Sequence, residues 1–141
     1  MMGKMSVTFA ALAVSGTLAG GAAADARREA IVQGLAAEAK KADPGFTGFS
    51  AVRGEALFRG THSGGKPDTP SCTSCHGEDP GAKGRTRAGK DIEPLAVSRN
   101  PARYTEPAEV AKWFSRNCNS VLGRECTARE KGDFIAFMMS K

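Results

Sequence analysis

Residues 72–76 read Cys-Thr-Ser-Cys-His, and this motif constrains the fold of the chain more than any other feature of the sequence. On a helical turn, residues at positions i, i+3 and i+4 share one face. Cys72, Cys75 and His76 can therefore present two thiols and one imidazole to a single bound group. This is the C-x-x-C-H signature of covalent haem attachment, in which the histidine is the proximal iron ligand. The motif predicts one haem c on these three residues.

Three other uses of the cysteines are weaker. A thioredoxin-like redox pair is expected in a βαβ context, which the sequence lacks. A zinc site would need further ligands from His62, Cys118 or Cys126, and the second cysteine pair lacks zinc-knuckle spacing. A plain Cys72–Cys75 disulfide would leave the glycine-rich segment that follows with little to enclose.

The first residues indicate export. Lys4 precedes an uncharged apolar run over residues 5–19, and a run of alanines ends at Ala24. A positive start, a short apolar core and an Ala-x-Ala site are typical of a secretory signal peptide. We predict that residues 1–24 are this signal peptide and that residues 25–141 form one folded domain in the periplasm. The apolar run is shorter than the ~20 residues that span a bilayer, so we expect no membrane span in the mature protein.

The charge pattern argues against one class of partner. The chain has 20 Lys and Arg against 15 Asp and Glu, a formal net charge of +5. The basic residues are scattered rather than clustered, so we predict no binding to nucleic acid.

Apolar periodicity and helix-end signals predict an all-α protein. Residues 77–103 are rich in Gly, Pro, Lys and Arg, and we expect them to form a long loop around a bound group. No strand pattern stands out. Helices are expected over Asp25–Lys41, over residues 50–58 with Ser50 as the cap, at residues 72–76, after Thr105 as the cap, and from the capping box Thr127-x-x-Glu130 to the C-terminus.

From Arg53 onward the chain resembles a small class I cytochrome c. Gly54 and Phe58 match the family's N-terminal helix, where the glycine permits close crossing by the last helix. Residues 133–137 match that last helix, which brings an aromatic residue to the crossing. The resemblance implies the class I cytochrome c fold, here with an extra N-terminal helix.

The methionine that usually binds iron opposite the histidine in that family has no match in this chain. No methionine lies between His76 and Met138, and we expect Met138 and Met139 to serve in core packing. The sequence therefore gives no support for His/Met ligation.

Three stretches resemble the SHP-type cytochromes c, which are oxygen-binding class I cytochromes with an asparagine as sixth ligand of the oxidised haem. The resemblance implies that Asn117, in an Arg-Asn-Cys sequence, is this ligand, and that Cys118 and Cys126 form a disulfide. It also implies that the asparagine leaves on reduction, opening the iron to O₂ or NO, and that a diheme cytochrome is the electron donor. The matching stretches are residues 64–72, 90–95 and 116–121.

The residues of the fourth helix agree with this role for Asn117. Val110, Trp113, Phe114 and Asn117 follow the i, i+3, i+4, i+7 pattern of one buried face, where an unpaired amide would be costly. A helix-capping role for Asn117 is the alternative. Asn119 lies about 200° further round the helix and is expected to face solvent or cap the helix.

Other residues compete for roles near the iron. His62, in a Gly/Pro loop, is a rival sixth ligand, and Lys83 and Lys90 are weaker rivals. The Pro94 carbonyl is a candidate acceptor for a hydrogen bond from His76 Nδ1, a contact of the kind that orients metal ligands.

Three functions remain open on the sequence. In the first, the protein accepts an electron from a partner cytochrome, loses Asn117 as a ligand, and binds O₂, NO or CO. A hard, neutral amide oxygen suits Fe(III) better than Fe(II), which favours this hypothesis. The second is plain periplasmic electron transfer with the ligand always bound, and the third is a haem enzyme that oxidises nitric oxide.

Overall fold

The structure is a computed structural model, and it describes residues 19–141. Residues 1–18, which hold most of the predicted signal peptide, lie outside the described residues. In the described part of the chain, no helix is long and apolar enough to cross a membrane. The helices are α1 (Ala19–Ala42), α2 (Ala51–Arg59), α3 (Thr73–His76), α4 (Pro107–Leu122) and α5 (Ala128–Met139).

The helical class is confirmed, with one small addition. Two-residue strands, β1 (Gly84–Arg85) and β2 (Asp91–Ile92), pair antiparallel within the segment predicted as loop. Such short strands carry no apolar alternation, so the sequence offered no signal for them.

Two of the three predicted N-terminal helix caps are present. The Ser50 side chain accepts a hydrogen bond from the Arg53 amide, and Thr127 and Glu130 form a complete capping box, as predicted. The prediction of Thr105 as the cap of α4 is wrong. Glu106 occupies that position, and the Thr105 hydroxyl donates instead to the Ala102 carbonyl at 2.8 Å.

The helix α1 begins earlier than predicted. It starts at Ala19 rather than Asp25, so it runs through Ala24, the predicted end of the signal peptide. The run of alanines around this point has high helix propensity, which explains the extension.

The helices α2 and α5 cross in close contact at Gly54, as the family resemblance implied. A Cβ atom on Gly54 would lie 2.0 Å from the Asp133 carbonyl oxygen and 2.9 Å from Phe137 Cβ. The buried Asp133 carboxylate accepts hydrogen bonds from Arg53 Nε at 2.7 Å and from the Ser50 amide at 2.7 Å. The crossing is thus fixed by steric fit and by a paired buried charge.

Within residues 19–141, the core consists of two clusters that share α5. One contains Phe58, Leu95, Phe137 and Met138, so the expected core role of Met138 is confirmed. The expectation for Met139 is wrong, because 47% of this residue is exposed. The second cluster contains Phe114, Cys118, Cys126 and Ile135, and Ile31, Val32 and Leu35 of α1 pack against it.

Replacing Gly54 by alanine should destabilise the fold. The added methyl would meet backbone atoms of α5, and overpacking of this kind costs roughly 1–3 kcal/mol. Denaturant unfolding of the haem-loaded protein would measure the change. Gly34→Ala in α1 is the matched control, because nothing lies within 4 Å of a Cβ there, and it should stabilise by about 0.5–1 kcal/mol. Equal stabilities for the two variants would contradict the close crossing.

Candidate functional site

Residues 72–76 form a single turn, here called the C-x-x-C-H turn. The backbone amides of Cys75 and His76 both donate to the Cys72 carbonyl, at 3.3 and 3.1 Å. Just before the turn, the buried Ser71 hydroxyl donates to the Phe58 carbonyl at 3.2 Å. Cys72 packs against the core cluster that contains Phe58. The end of α2 and the core therefore set the position of the turn.

Burial shifts the pKa values of two of the donor groups, Cys72 and His76. It raises the pKa of the Cys72 thiol to about 11. It also lowers the pKa of His76 to about 4, with a smaller contribution from the positive charge of Arg103. At neutral pH the imidazole is therefore neutral, the form in which histidine binds metals.

The donor set fits haem c. Cys72 and Cys75 are free thiols, both half-buried, and they share one helical turn with a neutral imidazole. These residues would hold the group through two thioethers and the His76 ring. Cys118 and Cys126 are joined to each other and so cannot serve as thiolate ligands for zinc. Among the described residues, no three His, Cys, Asp or Glu side chains cluster in a way that could hold a metal ion.

The helix α4 exposes two of the four residues that were expected on its buried face, whereas Phe114 is buried and Val110 is half-buried. Phe114, Cys118 and Val121 are buried, whereas Trp113 is 47% exposed and Asn117 is exposed. The prediction of a single buried face through Trp113 and Asn117 is therefore wrong. The physical reason is a rotation of about 100° per residue, which sets Trp113 and Asn117 to one side of Phe114 and Cys118. Phe114 and Cys118 belong to the second core cluster.

The neighbouring asparagine behaves as predicted. Asn119 is exposed, and its side-chain amide donates to the Ser115 carbonyl and to Glu125 Oε1, both at 2.8 Å.

Two of the three rival ligands, His62 and Lys83, have other contacts in this structure. His62 is half-buried, and its Nε2 lies 3.1 Å from the Leu57 carbonyl oxygen. Lys83 forms an exposed ion pair with Glu93 at 3.1 Å, and Lys90 is exposed.

A disulfide joins Cys118 to Cys126, with a Cα–Cα distance of 5.6 Å. Both cysteines are buried, and the bridge spans eight residues in sequence. It ties the residue after Asn117 to the loop that precedes α5.

Two arginines that bind backbone carbonyls of residues 94–103 were missed by sequence reasoning. Arg103 Nε donates to the Pro94 carbonyl at 3.0 Å. Among the described residues, the predicted hydrogen bond from His76 Nδ1 to this oxygen is not present. The buried Arg28 of α1 donates to the Arg103 and Pro101 carbonyls, at 3.1 and 2.5 Å. Arg28 and Arg103 are 75 residues apart, so no local pattern could have indicated the contact.

Comparison with known proteins identifies the family. Residues 44–138 match the family described as Domain of unknown function (DUF1924). The cytochrome c-type protein SHP of Cereibacter sphaeroides is 57% identical over 91 residues, which cover 64% of this chain and 70% of that protein. The chain belongs to the SHP-type cytochromes c. The expected family is thereby confirmed, and with it haem c as the cofactor and a monohaem c-type cytochrome as the class.

The solved structures support the same assignment for this SHP-type cytochrome. The structure of oxidised SHP, described as an oxygen-binding cytochrome c, matches with a TM-score of 0.74 at 48% identity and covers 81% of this chain and 96% of that chain. Cytochrome c'' of Methylophilus methylotrophus is 32% identical over 104 residues, covering 73% of this chain and 72% of that protein. Its oxidised crystal structure matches with a TM-score of 0.71 at 30% identity, over 82% of this chain and 95% of that chain.

Replacing both Cys72 and Cys75 by alanine should abolish covalent haem attachment, because both thioether positions are lost. A haem-stained denaturing gel would show the loss as an absent band. The matched control is Cys118→Ala with Cys126→Ala, which removes the other cysteine pair and should keep the band. A haem band in the first variant would exclude these cysteines as the attachment residues.

Proposed function

We propose that this SHP-type cytochrome is an exported redox protein that binds a diatomic gas, O₂ or NO, after it has accepted an electron. Cys72 and Cys75 attach the haem, His76 is its proximal ligand, and Asn117 is its sixth ligand in the oxidised state. The bound haem supplies a one-electron couple and a coordination position for a ligand. The description of the SHP relative as an oxygen-binding cytochrome c supports the proposal.

The observation that carries the proposal is the exposure of Asn117 on a helix whose adjacent face is buried. Phe114 and Cys118, on the adjacent face of α4, are buried in the second core cluster. The Asn117 amide is therefore free of the core, and its side chain can rotate without displacing the helix. Rotation of an exposed side chain takes picoseconds to nanoseconds and leaves the helix intact.

The chemistry of the amide gives this movement a direction. A carboxamide oxygen is a hard, neutral ligand, which suits Fe(III) better than the softer Fe(II). Asn117 is therefore expected to bind in the oxidised state and to leave on reduction. The solution structure of cytochrome c'' is described in terms of haem-ligand detachment, which gives a precedent in a relative.

Export is the second part of the proposal. The contacts of Arg28 with residues 101 and 103 begin four residues after Ala24, so removal of residues 1–24 leaves them in place. Asp25, whose carboxylate pairs with Arg28 at 2.7 Å, would then be the first residue of α1. An acidic side chain at a helix N-terminus is favourable.

A partner cytochrome would supply the electron, and the family resemblance implies that this partner is a diheme cytochrome. Two other functions predict different experimental results. A plain electron carrier would keep a low-spin spectrum after reduction and would not respond to CO. A nitric oxide-oxidising enzyme would show turnover of NO in the presence of O₂ and an electron donor.

Asn117→Ala should convert the oxidised haem to a high-spin or water-ligated state, because the sixth ligand is lost. Binding of CO to the reduced protein should change little, since Asn117 has already left in that state. Visible absorption and electron paramagnetic resonance spectra would measure both effects.

Asn119→Ala is the matched control for this test. It removes an amide two residues away whose hydrogen bonds go to Ser115 and Glu125, and the oxidised spectrum should stay that of the unmodified protein. A low-spin, unchanged spectrum for oxidised Asn117→Ala would contradict the proposal, and His62→Ala would then be the next variant to measure.

The exported protein should begin at Asp25. Mass spectrometry should give the mass of residues 25–141 plus one haem, less two protons for the Cys118–Cys126 disulfide. A polypeptide that retains Met1 and fractionates with membranes would show that the leader is not removed.

A further inference from the structure

The loop before the C-x-x-C-H turn packs directly against the C-terminal end of α4. A Cβ atom on Gly64 would lie 2.3 Å from the Leu122 carbonyl oxygen, and one on Gly65 would lie 2.2 Å from the Ser120 carbonyl oxygen. A Cβ atom on Gly123 would in turn lie 1.9 Å from the Gly64 carbonyl oxygen. The two backbones therefore touch directly, with no room for side chains between them.

Hydrogen bonds to Ser120 hold this contact together. The Ser120 carbonyl accepts from the Lys66 amide at 2.7 Å and from the Thr69 hydroxyl at 3.3 Å. The Thr69 and Ser120 hydroxyl oxygens are 3.0 Å apart, and Thr69 is buried. The last carbonyls of a helix lack partners within the helix. The loop supplies partners for one of these carbonyls, so it stabilises the end of α4 where fraying would otherwise begin.

The same end of α4 is also held from the other side. The disulfide joins Cys118 to Cys126, and Glu125 accepts hydrogen bonds from Ser115 Oγ at 2.6 Å and from Asn119 at 2.8 Å. Asn117 lies between these attachments. Its backbone is thereby restrained on both sides, while its side chain is exposed.

We propose that Thr69 is a positioning residue, which holds the last turn of α4 where the Asn117 side chain can reach the oxidised iron. The inference rests on the proposed function of Asn117. It adds that the chain segment leading into the haem attachment also sets the position of the opposite ligand. The contact links residues 51 positions apart, so it joins the segment before the haem-attachment turn to the helix that carries Asn117.

Thr69→Val tests this role, because it removes the hydroxyl and keeps the shape of the side chain. Loss of a neutral hydrogen bond of this kind should lower the equilibrium constant for Asn117 ligation roughly three- to tenfold. The high-spin fraction of the oxidised protein should rise accordingly, and hydrogen exchange at the Lys66 amide should accelerate. Thr69→Ser retains the hydroxyl and should restore the original spectrum.

Two controls separate this role from a general loss of stability. Thr86→Val removes a hydroxyl that accepts from the Lys90 amide, in the turn between β1 and β2, and should leave the oxidised spectrum unchanged. In an Asn117→Ala background, Thr69→Val should add no further change in spin state. If Thr69→Val fails to fold, Ser120→Ala removes the same contact between hydroxyls from the other side.

The outcomes distinguish the two proposals. If Asn117→Ala alters the oxidised spectrum and neither Thr69→Val nor Ser120→Ala does, the positioning role is overturned and the proposed function stands. If Thr69→Val changes the spectrum equally in the presence and absence of Asn117, it acts through general loosening, which also overturns the role. If Asn117→Ala has no effect, the proposed function itself fails.

Discussion

The close crossing of α2 and α5 at Gly54 is the contact on which the rest of the site depends. It brings Asp133 into the interior, where the carboxylate is stabilised by Arg53 and by the Ser50 amide. A buried charge with such partners is costly to separate, so the crossing has one preferred geometry. The end of α2 then presents Phe58 to the core and to the segment that opens the C-x-x-C-H turn.

The segments on either side of this turn are held mainly by backbone contacts rather than by apolar side chains. The preceding loop meets the end of α4 at Gly64 and Gly65, and a Cβ atom on Gly84 in the following segment would lie 2.5 Å from the Cys75 carbonyl oxygen. Further along, Arg28 and Arg103 bind loop carbonyls. Long loops that carry few apolar residues can thus be ordered, provided that their polar backbone groups find partners.

The two faces of α4 differ in burial. Phe114 and Cys118 anchor the helix against α5 and the N-terminal helix, and the disulfide extends this anchor to the following loop. The adjacent face carries Trp113 and Asn117, which are exposed. For the ligand role that we propose for Asn117, this arrangement would let the side chain leave while the helix stays in place.

The sequence by itself determined the features that depend on near neighbours: the helices, the caps at Ser50 and Thr127, and the spacing of the C-x-x-C-H motif. Family resemblance added the glycine at the α2–α5 crossing. Only the tertiary structure decided which side of α4 is buried, because the apolar residues of that helix are compatible with more than one face and the packing partners select among them. The contacts of Arg28 and Thr69 also emerged only from the tertiary structure. Their partners lie 75 and 51 residues away, and hydrogen bonds across such distances leave no periodic trace in the sequence.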